Sequence, residues 1–441
     1  MVEYSFRGNV PNKEILSFYN STRIDCFVMA SENEGLPVSI MEAESAGIPI
    51  VSTNVGGISE LISKNGVLVD ADCSPEELAD AIKTCVLCPD SDKLLMRQHS
   101  RALWEEKFDA KKNAVNFVRH IKDRYGAKVN KILFLTEGYP FILSEKSFLE
   151  SEVKELLKYY NVTIIAHLTG KKNSRHQQNA DKEIADLMNE SSDHTLKLLC
   201  YEEDWSIKIP LRYTFRYFLD SNISAERKNI MATRSKVFIR IWESIKYYSK
   251  ALEFYKWFMS SEAFSDCLSE STLLYSYWNL QPLLGVSLNR RAGFKCPIMS
   301  RAHGYDYQDE QWPKSNRKPF KEVLDAFVDE IVFVSEAGKK YYLSQNGLDD
   351  NEFKYYVSYL GSNDATQNAF SLKKEENDTC LLVSCASLIP LKRVKLIIDA
   401  LNVLERNVGN LKIQWIHFGD GVLRQELEDY AGKVLGGDKI R

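Results

Sequence analysis

From Ile24 to Val69, short apolar runs alternate with helical stretches: Cys26-Phe27-Val28-Met29, Val38 to Ala46, Ile48-Pro49-Ile50-Val51 and Val67-Leu68-Val69. Strand, helix, strand in that order predicts a parallel sheet covered by helices. Ser74 ahead of Pro75-Glu76-Glu77-Leu78 predicts a further helix, with Ser at the N-cap and Pro in the first turn. A second series opens with Lys131-Ile132-Leu133-Phe134-Leu135, which runs into Thr136-Glu137-Gly138-Tyr139-Pro140 and a helix from about Ser147 to Tyr159. Val162 to Ala166, Thr272 to Tyr275, Pro297 to Ser300 and Glu330 to Val334 continue it as strands. Near the end, Cys380 to Ser384 and Lys412 to His417 read as two more strands, separated by an amphipathic helix from Val394 to Leu404. Two stretches stand apart. Lys171 to Ser192 is polar and predicts a long loop or a mobile helix tip, and Trp205 to Met259 is helical in period, aromatic and basic.

The length of 441 residues exceeds one ordinary core and predicts about two domains. An apolar fraction of 44% with 27% charged residues is that of a globular protein, and no run approaches the length of a membrane span. The net charge of -4 gives no overall attraction to nucleic acid, and none is expected as a partner. Met1 to Arg7 lacks the features of a secretory leader, so a cytoplasmic protein is expected. Nine cysteines are scattered, and Cys85 and Cys88 have no second pair to complete a zinc site, so reduced and mostly buried thiols are expected.

The densest chemistry is Ser31-Glu32-Asn33-Glu34-Gly35-Leu36-Pro37-Val38-Ser39-Ile40-Met41-Glu42-Ala43, where a strand ends and a helix begins. Pro37 is placed to start the helix, so free backbone N–H groups from about Leu36 to Ser39 can face an anion such as a diphosphate. Gly35 admits close approach, and Glu34 and Glu42 place two carboxylates beside that position, where they can accept hydrogen bonds from sugar hydroxyls. The plain alternative is a pair of solvated acids at a helix start.

This segment resembles the Glu, seven residues, Glu signature of the retaining glycosyltransferases of family 4, which have the two-domain GT-B fold. Ala46 to Thr53, Val55-Gly56-Gly57-Ile58-Ser59-Glu60 and Asn65-Gly66 look like the same family's continuation, and the likeness then extends over nearly the whole chain. The resemblance implies that Glu34 contacts the transferred sugar and Glu42 holds the ribose hydroxyls. Phe6-Arg7-Gly8-Asn9-Val10 resembles the turn that meets the base, and His417-Phe418-Gly419-Asp420-Gly421 the family's glycine turn. In Cys385 to Arg393, Lys392 falls where the family neutralises the leaving diphosphate. Ser387 stands where many members have arginine and Arg393 where glycine is usual, which leaves open whether Arg393 supplies the missing guanidinium. His303, in Ser300 to Asp306, resembles the histidine near the transferred sugar, and Phe333 to Glu336 and Tyr359 to Ser362 resemble segments that close one domain on the other. The set looks closest to bacterial exopolysaccharide transferases of the colanic acid kind.

The order of parts departs from the family's. Residues 1–122 read as the second part of the donor domain, 123–130 as a joint, 131–365 as the acceptor domain with a helical insertion near 205–260, and 376–441 as the first part of the donor domain. The chain resembles a circularly permuted α/β GT-B protein, with Asp438 to Arg441 leading toward Val2. The expected activity is that of a retaining hexosyltransferase in polysaccharide or glycoconjugate synthesis. It would use a UDP- or GDP-linked sugar and a glycan or lipid-linked acceptor, with no metal or separate cofactor. The catalytic residues would be Glu34, His303 and Lys392, and the donor would be held by Gly8, Asn9, Gly35, Leu36, Pro37, Val38, Glu42, Arg393, Gly419 and Asp420. A sugar-nucleotide binding or scaffold protein without turnover, or a nucleotide-sugar epimerase on the same fold, are the alternatives. Basic residues among the aromatics of 205–259 suggest either contact with anionic membrane or a plain helical insertion.

Overall fold

The apolar runs become buried parallel strands. A computed structural model describes residues 2–142, 145–189, 194–203, 209, 211–232, 235–290, 293–309, 314, 317–365, 379–407 and 412–435. In chain order its strands are β1 (Val2–Phe6), β2 (Cys26–Met29), β3 (Ile50–Thr53), β4 (Gly66–Val69), β5 (Lys131–Thr136), β6 (Asn161–Thr169), β7 (Leu196–Glu203), β8 (Thr272–Ser276), β9 (Ile298–Ala302), β10 (Glu330–Phe333), β11 (Tyr355–Val357), β12 (Thr379–Cys385) and β13 (Lys412–Phe418). They fall into two compact units, Met1–Ala110 with Leu360–Arg441, and Lys111–Tyr359.

The first unit holds a six-stranded parallel sheet in the order β1-β13-β12-β2-β3-β4. Counted from β12, this is 3-2-1-4-5-6, the doubly wound order in which ligands sit outside the carboxyl ends of the strands where the order reverses. The reversal lies between β12 and β2, where Leu382 faces Cys26 and Val383 faces Phe27. Trp415, fully buried, anchors the core, with Phe6 packed edge-on at 5.3 Å between ring centres. Ser74 caps helix Pro75–Leu87 in a reciprocal arrangement with Glu77, as expected.

The second unit holds a seven-stranded parallel sheet, β11-β10-β9-β8-β5-β6-β7, which follows the doubly wound order in direct chain sequence. Two such parallel sheets make the GT-B architecture, and each unit is a Rossmann-like domain. Helix Val237–Met259 buries Ile245, Tyr248, Leu252 and Phe258 in the core of this unit.

Of the two forms expected of the polar stretch after Lys171, a loop or a helix tip, the structure has the helical one: Ser174–Asn189 is a helix. Its inward face is Ala180, Glu183 and Leu187, and the Glu183 carboxylate accepts from Tyr139 Oη at 2.7 Å and pairs with Lys146. A glutamate in an inward position hides the apolar period that would have announced the helix. The expected helical stretch from Trp205 resolves into helices Leu211–Leu219, Ser224–Ala232 and Val237–Met259. Trp205, Lys208, Arg234 and Asp438 to Arg441 lie outside the described residues, as do 190–192 and 376–378.

The units divide at places other than the composition suggests. Helix Ala110–Tyr125 packs into the second unit from Lys111 on, with Phe117 5.3 Å from Tyr275 and the Tyr125 hydroxyl donating to Glu330 at 2.8 Å. Leu360–Ala365 belongs to the first unit. There the Trp104 indole donates to Ser362 Oγ at 2.8 Å, Arg101 pairs with Asp364 at 2.6 Å, and Ser362 N donates to Phe108 O at 3.0 Å. Gly361 lies so close to this turn that a Cβ there would fall 2.4 Å from Ala110 N and 2.7 Å from Phe108 O.

Two predictions follow from this packing. Gly361→Ala must displace backbone rather than a side-chain tip, and should cost about 1–3 kcal/mol, read as a lower urea midpoint for the first unit. In the second unit, buried His167 contacts Glu137 at 3.1 Å and Glu203 at 2.6 Å, and Lys250 neutralises Glu203 at 3.0 Å. Burial alone would lower the imidazole pKa, but the two carboxylates outweigh it and raise the value to about 9. A raised folded-state value contributes stability fully present below the unfolded pKa of roughly 6.5 and lost as pH rises through about 9, on the order of 3 kcal/mol. Urea midpoints should fall across that window, and His167→Phe should flatten the slope.

Candidate functional site

At the β12/β2 reversal the loops after the two strands meet. The first runs from Ala386 to a short turn, Pro390–Lys392, and the second from Ala30 to helix Val38–Ser45. Glu32 N donates to Leu391 O at 2.9 Å and locks them together. Lys392 Nζ then meets Glu34 Oε1 at 2.5 Å, with the side chains 20% and 10% exposed, so the expected cation and the expected sugar-contacting carboxylate occupy one place. Arg393 has a left-handed backbone, φ 44°, and its Nε donates to Ala30 O at 2.8 Å. Its buried Nη2 has no partner among the described residues.

Pro37 is the cap of the short helix rather than its first residue. The backbone N–H groups of Leu36, Val38 and Ser39 make no hydrogen bond among the described residues, which leaves them open to an anion. Gly35 O accepts from Gly57 N at 2.8 Å. Gly56 presses so closely on the loop, at φ +55°, that a Cβ there would lie 1.8 Å from Glu34 O. The Val55-Gly56-Gly57 stretch is therefore the cradle of the Glu34 loop.

Glu42 is held by Asn12 Nδ2, which donates to its Oε1 at 2.6 Å from helix Asn12–Ser21. Burial pushes its carboxyl up to about 7, against the lowering effect of the Asn12 hydrogen bond. Burial likewise raises the neighbouring Cys385 thiol to about 12, so that thiol stays protonated. Asn12 went unnoticed in the sequence because a lone amide at a helix start after Pro11 has no pattern that marks it.

Gly8 and Gly419 form a bridge at the ends of β1 and β13, with Gly419 N donating to Gly8 O at 2.9 Å. Arg424 crosses this turn, donating to Asp420 Oδ2 at 3.0 Å and to Phe6 O at 3.1 Å. Gly8, Gly419 and Asp420 are thus together, and Asn9 beside them is exposed. The backbone behind them is fixed by His417, which bonds Ser384 Oγ at 2.8 Å and donates to Ala386 O at 3.0 Å.

His303 belongs to the other unit, at the end of β9. Its Nε2–H donates to Tyr277 O at 3.0 Å and its ring lies 4.1 Å from that of Trp278. Burial, reinforced by the Arg301 charge, lowers its pKa to about 3. At neutral pH it is an uncharged imidazole with one nitrogen committed, suited to a hydrogen bond and not to proton exchange. Of the other two segments expected at domain closure, Ser335 caps helix Glu336–Asn346 and Ser362 is bound to Trp104. Among the described residues, no group of three or more His, Cys, Asp or Glu is placed to hold a metal ion.

Residues 2–102 match the family of glycosyl transferases group 1. The O-antigen biosynthesis glycosyltransferase WbnH of Escherichia coli is 47% identical over 57 residues, 13% of this chain and 17% of that protein. The putative teichuronic acid biosynthesis glycosyltransferase TuaC of Bacillus subtilis is 36% identical over 75 residues, 17% of this chain and 19% of that protein. A D-inositol 3-phosphate glycosyltransferase of Paenarthrobacter aurescens is 40% identical over 79 residues, 18% of this chain and 19% of that protein. The chain thus spans about a fifth of the length of the curated relatives it matches. What it shares with the glycosyl transferases group 1 is the segment from Val2 to Ala102, which carries Gly8, Asn9, Glu34 to Val38 and Glu42 and stops short of Lys392 and Gly419.

Proposed function

We propose that the chain is a retaining hexosyltransferase of family 4 type, taking a UDP- or GDP-linked sugar in the first unit and working in polysaccharide or glycoconjugate synthesis. The observation that carries this reading is the Lys392–Glu34 pair at 2.5 Å, which joins a cation and a carboxylate at the β12/β2 reversal. Lys392 and the free Nη2 of Arg393 would take the leaving diphosphate together with the N–H groups at the start of helix Val38–Ser45, stabilising charge as it develops. Glu34 would accept from hydroxyls of the transferred sugar, and Glu42, steadied by Asn12, from those of the ribose. The turn of Gly8, Asn9, Gly419 and Asp420 would border the base. His303, neutral and with its Nε2–H given to Tyr277 O, would accept from a sugar hydroxyl through its other ring nitrogen.

The reading of the first unit as a circularly permuted donor domain is supported by its strand order, which becomes 3-2-1-4-5-6 when counted from β12. A cytoplasmic setting is in keeping with nine free cysteines. The acceptor we infer is a glycan carried on a lipid, reached by a protein resting on an anionic membrane; no helix among the described residues is long and apolar enough to cross one.

A panel of UDP- and GDP-sugars, with hydrolysis as the readout and an acceptor extract added in parallel, tests the activity. Glu34→Gln should lower kcat about a hundredfold with little change in nucleotide affinity. Glu42→Gln should instead weaken nucleotide binding about tenfold, since a ribose contact is equal in ground and transition states. Because the Glu42 carboxyl is held up to about 7, wild-type affinity should climb as pH rises through that value, and the Gln variant should lose this climb. Full activity in both variants would remove the site assignment.

A further inference from the structure

Helix Leu211–Leu219 has apolar side chains on both of its faces. Tyr213 and Tyr217 point inward, and Tyr217 meets Tyr248 of helix Val237–Met259 edge-on at 5.8 Å. Leu211, Phe215, Phe218 and Leu219, at helical spacings of four, three and one, point outward and are 77%, 70%, 52% and 81% exposed. A surface helix ordinarily places polar residues there. The first turns of helix Val237–Met259, ahead of the part that Tyr217 meets, also expose apolar side chains, with Phe238 90% and Trp242 52% exposed.

Among the described residues from 211 to 246, the exposed charges are all basic. Arg212, Arg216, Lys228, Lys236 and Lys246 are exposed, and Lys246 lies 5.2 Å above the Trp242 ring. The acids between 211 and 246 turn away from solvent: Glu226 is fully buried and paired with Arg317 at 2.8 Å, the Asp220 carboxylate accepts from the Tyr248 hydroxyl at 2.7 Å, and Glu243 is half-buried. Exposed aromatic and aliphatic groups in a basic frame are the chemistry of an interfacial anchor, in which rings enter the headgroup boundary while lysine and arginine remain at the lipid phosphates. A second copy of the chain fits this face poorly, because face-to-face contact would set the same arginines and lysines against one another, and the described residues from 211 to 246 offer no exposed carboxylate to meet them.

We propose that Phe215, Phe218, Leu219, Phe238 and Trp242 insert into the interfacial layer of an anionic bilayer, held there by the surrounding basic side chains. This deepens the lipid-linked acceptor reading, since it would bring the second unit to the surface from which such an acceptor is presented, yet membrane docking itself requires nothing of Glu34, Glu42 or Lys392. Insertion and charge make separable contributions. The apolar part persists in salt, and the electrostatic part is screened by it.

The test is co-sedimentation of the full chain with vesicles of phosphatidylcholine alone and of phosphatidylcholine with phosphatidylglycerol in equal parts, at low and high salt. The wild type should partition onto the anionic vesicles at low salt, retain part of that binding at high salt, and bind the neutral vesicles at least about tenfold more weakly. Phe215→Ser with Phe238→Ser, both exposed and outside the core, should keep the far-UV spectrum and melting temperature yet lose about tenfold or more of the binding at both salt concentrations. Arg212→Gln with Arg216→Gln should remove mainly the salt-sensitive part. No binding to anionic vesicles at low salt overturns the proposal, and so does binding unchanged by the paired Phe substitutions. Lipid-free dimerisation that the Phe substitutions abolish, without loss of vesicle binding, would assign the face to self-association and also overturn it. Donor hydrolysis measured without lipid requires no bilayer, so a wild type that hydrolyses donor yet binds no anionic vesicles refutes the membrane face alone.

Discussion

The parallel pairing of β12 with β2 is the contact on which the first unit depends. It joins Leu382 to Cys26 and Val383 to Phe27, from opposite ends of the chain, and so places two loops side by side at the carboxyl edge of one sheet. Without that pairing, Lys392 and Glu34 would be parts of unrelated segments. With it, Glu32 N reaches Leu391 O and the ammonium is delivered to the carboxylate. Buried backbone hydrogen bonds along a parallel ladder tolerate little slip, because a one-residue shift in register would turn every covered side chain to the other face. The site therefore inherits its precision from the sheet rather than from the loops.

Burial divides the charged groups of the molecule into two kinds. Glu42 and His303 are held near or in their neutral forms, Glu42 with its carboxyl at about 7 and His303 with its imidazole at about 3, which makes them hydrogen-bonding groups shaped by their neighbours. His167, by contrast, is kept charged by two carboxylates and serves the packing of its own unit. The pair formed by Lys392 and Glu34 is partly open to solvent, so an incoming anion can compete for the ammonium without first opening a closed core.

Most of this fold was legible in the sequence because its strands are continuous apolar runs. β2, β3, β5, β9, β10, β12 and β13 all lie within a residue or two of the runs that predicted them. The strand Leu196–Glu203 was missed because polar and charged residues interrupt it, and helix Ser174–Asn189 was left undecided between loop and helix because Glu183 fills an inward position. The Glu34 and Lys392 loops could be named from their residues, and Gly56 from the glycine pair beside Val55, but the hydrogen bond from Asn12 to Glu42 could not, since it depends on how two helices pack. The same holds for the clasp of Trp104 on Ser362, which assigns Leu360–Ala365 to the first unit and leaves no local trace in the sequence.

The central claim is that Lys392, brought to Glu34 by the β12/β2 pairing, marks a diphosphate site. Calorimetric titration of the wild type and of Lys392→Met with UDP, GDP and the corresponding nucleosides tests it most directly. The account predicts that the wild type prefers one diphosphate over its nucleoside, and that the variant loses about tenfold to a hundredfold in affinity for the diphosphate while nucleoside binding is unchanged. A wild type that does not distinguish diphosphate from nucleoside, or a variant that binds the diphosphate as tightly as the wild type, would contradict it.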